Sequence, residues 1–185
     1  MSLTIVDFNN FWSPSGGGVR RYHLEKMNFY RYETDAVYVF VMPDSRTYTE
    51  QLTDSLIIEH VKAFKFPGKW EYRMLWKSSQ IAPILKRHKP DIIEVGSPYI
   101  LPTVVRKNAK KIVPRAKLLG FWHADFPITY VERPIAEKFG KKLGKLASQV
   151  AFAYARYEFK GFTGIQVSAE ETRLRLKRKG LPAHH

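Results

Sequence analysis

The chain has 185 residues, 44% of them hydrophobic, which is enough for one domain with a real core and too apolar for a disordered chain. Apolar runs of about six or seven residues fall far short of the ~20 needed to span a bilayer, and no basic stretch leading into a long apolar one marks a signal peptide. The absence of cysteine excludes disulfides and thiolate metal sites and fits a reducing compartment, while a formal net charge of +14 favours an anionic partner: nucleic acid, a phosphorylated metabolite or an anionic membrane.

In chain order, LTIVDF (Leu3–Phe8) reads as a buried strand and runs into the turn SPSGGGVRRY (Ser13–Tyr22). Val19, Tyr22, Met27 and Tyr30 then share one side of a predicted helix over 19–31. AVYVFVM (Ala36–Met42) and SLIIEHVKAF (Ser55–Phe64), rich in β-branched and aromatic residues, predict two further strands. Trp70, Met74, Ile81 and Leu85 recur at helical spacing, with a kink or restart expected at Pro83.

DIIEV (Asp91–Val95) predicts a strand followed by the turn Gly96–Pro98, and a short helix is expected over Leu101–Lys111. KLLGFW (Lys117–Trp122) predicts another strand, ending on HADFP. Phe139, Leu143, Leu146, Val150, Tyr154 and Tyr157 form a long stripe at period 3.6, expected to face the core, with Lys138, Lys141, Lys142, Lys145 and Arg156 away from it. The sharper reading of that segment is a surface that meets anionic headgroups. TGIQV (Thr163–Val167) predicts the last strand. Ser168 with Glu171 has capping-box spacing for a final helix ending near Gly180 and Pro182.

Six strands alternating with helices predict an α/β fold: a Rossmann-like, doubly wound parallel sheet with helices on both faces, forming one domain over 1–185. Ligands of such sheets bind beyond the carboxyl ends of the strands, near the switch point. The loops Asn9–Gly18, Gly96–Tyr99 and His123–Phe126 are therefore the candidate site. Gly16, Gly17 and Gly18 let backbone amides approach a ligand, and the helix behind them points free amides and its positive dipole end to the same place. Arg20 or Arg21 adds charge, the other being solvated. The spacing is neither the Rossmann fingerprint nor a Walker loop, and a plain tight turn is the competing reading.

His123 follows a strand and stands two residues from Asp125. Its place on the ligand-binding edge of the sheet points to a site residue, acting as acid or base; as a structural residue it would pack under Phe121 or Phe126. No third ligand at suitable spacing supports a metal pair with Asp125, and no Gly-x-Ser-x-Gly elbow makes Ser97 a nucleophile.

The segments IVDFNNFWSPSGGGVRRY, PDIIEVGSPYILP, LLGFWHADFP and GIQVSAEETRLRLKRKG resemble, in this order and over nearly the whole chain, the amino-terminal half of the group 1 (family 4) retaining glycosyltransferases. The resemblance implies one Rossmann-like half of a GT-B enzyme, with a donor-binding carboxyl-terminal domain lying outside this chain. It implies transfer of a sugar from a nucleotide-sugar co-substrate to a lipid, saccharide or small-molecule acceptor, with no metal and no other cofactor. His123 would lie beside the reacting sugar, and Gly16, Gly17 and Gly18 over the donor phosphates. Arg20, Ser97, Tyr99 and Asp125 would line the cleft.

By this reading the chain alone folds but does not transfer sugar, and the protein is cytoplasmic, at the inner membrane face where the acceptor is an anionic lipid or polysaccharide. An apolar strip is expected where the second domain docks. The alternatives are a basic nucleic-acid-binding module or a non-catalytic Rossmann-like ligand-binding module. The aromatics follow core periodicity and do not interleave with the basic runs, which counts against nucleic acid.

Overall fold

The computed structural model describes residues 2–12, 17–65 and 72–184. In chain order the strands are β1 (Thr4–Phe8), β2 (Val37–Asp44), β3 (Tyr48–Gln51), β4 (Leu56–Lys62), β5 (Phe64–Lys65), β6 (Arg73–Met74), β7 (Ile92–Val95), β8 (Lys117–Trp122), β9 (Gly164–Val167) and β10 (Ala183–His184). The helices are α1 (Gly18–Glu33), α2 (Ser78–His88), α3 (Leu101–Ile112), a π-helical turn (Pro127–Glu132) continuing into α4 (Arg133–Phe139), α5 (Lys141–Glu158) and α6 (Glu170–Arg178). None is long and apolar enough to cross a membrane.

The main sheet has eight strands in the order β10-β9-β8-β7-β1-β2-β4-β3, and β5 and β6 form a separate ribbon. Every pairing in the main sheet is parallel except β3 on β4. The chain steps outward from β1 to β2 and β4, returns past β1 to β7, then continues outward through β8, β9 and β10. This reversal puts the switch point between β1 and β7. Right-handed crossovers place α1 on one face and the later helices on the other.

Two cores follow. The smaller gathers Met27 of α1 with Ile5, Tyr38, Phe40 and Leu56. The larger lies under α2, α3, α5 and α6, where alternate strand residues such as Val6, Val39, Ile93 and Ile165 are fully buried. The fold is the expected Rossmann-like α/β sheet, and all six predicted strands are present.

Several elements differ from expectation for physical reasons. β3 is wholly exposed and polar, so no apolar alternation marks it; β5, β6 and β10 have two residues each, too short for any period. Met74 belongs to β6, Trp70 lies outside the described residues, and α2 runs through Pro83 without interruption. The final helix starts later than its capping-box spacing implies: Ala169 is the N-cap, and no side chain caps the helix. Its end is as expected, with Gly180 at φ +75° in the left-handed conformation that glycine adopts without penalty.

The apolar stripe is the largest correction. Gly140, at φ +93°, breaks it into α4 and α5. The face of α5 that is buried carries Gly144, Ser148, Ala151, Phe152 and Ala155, not the stripe's Leu143, Leu146 and Val150. Small residues win because they let helices approach: a Cβ on Gly144 would sit 2.7 Å from both the Ala136 Cβ and the Glu132 carbonyl oxygen. Leu143, Leu146 and Val150 are turned outward.

Candidate functional site

Three strands end side by side at the switch point: β1 runs into Asn9 and Asn10, β7 into Gly96 and Ser97, and β8 into His123. Asn9 and Asn10 are buried. The Phe11 backbone N–H donates to Asn9 Oδ1 at 2.6 Å, which fixes the amide and turns its Nδ2 toward two histidines. Nδ2 contacts His23 Nε2 and lies 3.4 Å from His123 Nε2. Both ring nitrogens therefore accept, and the remaining proton of the His123 ring falls to Nδ1. Gly96 makes room for this approach, since a Cβ there would stand 2.8 Å from both Asn9 Nδ2 and His123 Nε2. Asn10 clamps the far side of the turn, exchanging side-chain hydrogen bonds with the Leu75 backbone.

His123 packs edge-on to Phe121 with ring centres 4.1 Å apart, and edge-on to Tyr22, which itself stacks on Phe121 at 4.2 Å. Burial, reinforced by the neighbouring His23, pulls its pKa from 6.5 down to about 3. The ring is neutral at physiological pH. The aromatic packing expected of a structural histidine and the placement expected of a site histidine thus coexist. The low pKa removes the imidazolium as a general acid and leaves a hydrogen-bonding role.

Beneath the turn lies a buried charge cluster that sequence reasoning missed. Asp7, 2% exposed, accepts from Lys26 Nζ at 2.8 Å and from the Tyr38 hydroxyl at 2.6 Å, with His23 Nδ1 at 3.5 Å. Lys26 also contacts the Glu94 carboxylate. Burial opposes the charge on Asp7, but Lys26 and His23 outweigh it and hold its pKa well below the usual carboxylate range. Burial and the Asp7 charge push the Tyr38 hydroxyl well up. The signal was present: an aspartate within an apolar strand, and His23 and Lys26 three apart on the helical stripe that carries Met27.

Gly17 is the N-cap of α1, and Gly18 is its first residue. Among the described residues no side chain caps this helix, and its first turn holds no acidic residue, so no described cap satisfies its leading amides. Gly17 has φ −76°, outside the left-handed region that glycine alone adopts freely. Among the described residues nothing lies within 4 Å of a Cβ on Gly17 or Gly18. Packing among those residues does not require glycine at either position. Gly16 lies outside the described residues.

Arg20 is half-buried, its guanidinium 5.8 Å from the Trp12 ring centre and its Nε without a partner among the described residues, whereas Arg21 is exposed and paired loosely with Glu25 at 4.0 Å. Of the two, Arg20 is the one that packs on a neighbouring side chain, Trp12.

The other candidates separate. Ser97 is fully buried, and its hydroxyl accepts from the Tyr99 N–H at 3.4 Å, so it shapes its own loop. Tyr99 is half-buried between Phe11 and Phe126, and burial raises its pKa. Beside it Ile100 has φ +57°, a strained value for a β-branched residue. Its amide is held by the Tyr154 hydroxyl at 3.0 Å. Asp125 contacts Arg175 of α6, whose Nη2 also reaches Glu171 at 2.5 Å. Burial raises the Asp125 pKa, only partly offset by Arg175. Asp125 anchors the β8 loop to α6 and does not pair with His123.

No protein-family model matches the chain, and no curated protein matches it in sequence.

Proposed function

We propose that this chain is the acceptor-side half of a retaining glycosyltransferase that works with a nucleotide-sugar donor. The observation that carries the reading is that α1, begun at Gly17 and Gly18 with no capping side chain among the described residues, brings Tyr22 and His23 against a His123 that Asn9 orients at the switch point. In the transfer step the bond from the anomeric carbon to the diphosphate oxygen breaks, and the diphosphate leaves with the electron pair. The acceptor oxygen bonds the same carbon, and its proton passes to the departing phosphate. Backbone amides at a helix start suit the charge that grows on that leaving group. A neutral imidazole donating from Nδ1 suits a sugar hydroxyl and adds no positive charge beside an electron-poor anomeric carbon. The order of the four segments resembling family 4 glycosyltransferases supports the same reading.

The test is an amide-resolved NMR titration of the chain with pyrophosphate, then with UDP- and GDP-sugars and free saccharides. The expected result is saturable shifts at Gly17, Gly18 and Arg20 with the phosphorylated ligands, and at His123 and Tyr99 with saccharides. Silence at α1 would overturn the diphosphate reading. Salt-dependent retention on DNA with no response to sugars would replace it with nucleic-acid binding.

A further inference from the structure

The outward face of α5 has a composition that its packing does not use. At about 100° of rotation per residue, the buried small residues fill one sector of the helix. Leu143, Leu146, Val150 and Tyr157 fill another, and they are 48%, 58%, 65% and 54% exposed. Phe139, at the tip of the α4–α5 hairpin, is 61% exposed. Lys138, Lys141, Lys142 and Lys145 surround the same tip, all exposed, and between Arg133 and Tyr157 the sequence holds one acidic residue, Glu137. Gly144 locks the hairpin against Ala136, so the surface is rigidly held.

We infer that the α4–α5 hairpin lies on an anionic lipid bilayer, with Leu143, Leu146 and Val150 in the boundary between headgroups and acyl chains and the flanking lysines on lipid phosphates. Each part of the surface has a use there. Aliphatic side chains gain by leaving water. Lysine stems extend along the apolar layer and keep their ammonium groups at the phosphates. A second copy of this chain is a poor occupant, because it would bring the same lysines and a net charge of +14 to a like-charged face. The inference rests on this surface alone and is independent of sugar transfer.

The test is flotation of the chain with vesicles of phosphatidylcholine alone or mixed with phosphatidylglycerol. The expected result is retention by the mixed vesicles only, weakening as salt rises. Leu146→Ser with Val150→Ser should reduce partitioning more than about tenfold. Lys142→Gln with Lys145→Gln should reduce it about fivefold per lysine. Both pairs are exposed, so circular dichroism and melting temperature should not move. Lys107→Gln with Lys110→Gln, on exposed α3 positions, should retain binding. Failure of the parent chain to float with anionic vesicles would overturn the inference. So would equal loss in the α3 control, which would mean charge without a site. Concentration-dependent self-association abolished by the Leu146 and Val150 changes, without vesicle binding, would assign the face to a second copy.

Discussion

Gly96 is where a single hydrogen atom decides the geometry of the site. Gly96→Ala would put a methyl group 2.8 Å from the Asn9 and His123 nitrogens, and one of them must move. The expected cost is about 1–3 kcal/mol, checked by denaturant unfolding, with altered His123 ring resonances in NMR. Lys26→Met should cost more, about 3–5 kcal/mol, because it leaves Asp7 and Glu94 with no cation between them. The same measurement checks it, and a smaller loss in the Asp7→Asn, Lys26→Met pair would show that the penalty is the stranded charge.

His123 sets a pH dependence of definite sign. Its folded pKa, about 3, lies below the ordinary 6.5, so the unfolded chain takes up the proton first as pH falls. The stability conferred by the neutral ring is complete above about pH 6.5 and declines toward pH 3 at about 1.4 kcal/mol per unit. Asp7, also depressed, loses its contribution only below the ordinary aspartate pKa of 3.8, and Glu59, depressed from 4.5, and Asp125, raised from 3.8, act at the acid end, so the histidine's slope is read between about pH 6.5 and 5. His123→Gln should flatten the parent's slope in unfolding free energy over that window.

Among the elements, α1 and α5 use glycine for opposite reasons. On α5, alanine in place of Gly144 would ordinarily gain about 1 kcal/mol of helix propensity. Here its Cβ would meet the Glu132 carbonyl oxygen at 2.7 Å and the Ala136 nitrogen at 2.9 Å, and backbone atoms cannot swing aside. Gly144→Ala should therefore lower the melting temperature, the hairpin opening before the sheet does by hydrogen exchange. On α1 a Cβ at Gly17 meets nothing described. Gly17→Ala should leave stability within about 0.5 kcal/mol while weakening pyrophosphate binding in the titration above. Loss of stability without loss of binding would make this glycine a folding residue.

At the scale of the whole molecule, charge acts against compactness. A chain of net charge +14 repels itself, and the repulsion reaches about 30 Å at 0.01 M salt and about 8 Å at 0.15 M. The melting temperature should rise over that interval of sodium chloride concentration, as calorimetry would register. The buried Asp7–Lys26–Glu94 cluster is shielded from solvent ions, so Lys26→Met should lose a similar amount of stability at both salt concentrations.

The amino-acid sequence by itself determined six of the eight strands of the sheet: they and the helices between them follow from local apolar periodicity, and their alternation dictates a parallel α/β fold. It also marked the loops after β1, β7 and β8, because chain order and right-handed crossovers together leave few places for a switch point. Local pattern carries no information about distance, and the site is made of distances. Asn9 meets His123 across 114 positions, and Asp125 meets Arg175 across 50; neither pairing has a periodic signature. Nor does periodicity say which face of a helix finds a partner. On α5 the stripe of Leu143, Leu146 and Val150 was the stronger periodic signal, yet the face with Gly144, Ser148, Phe152 and Ala155 was buried, Gly144 because only glycine lets the backbone of α4 come so close. That choice belonged to the tertiary structure, and it left the apolar stripe facing outward.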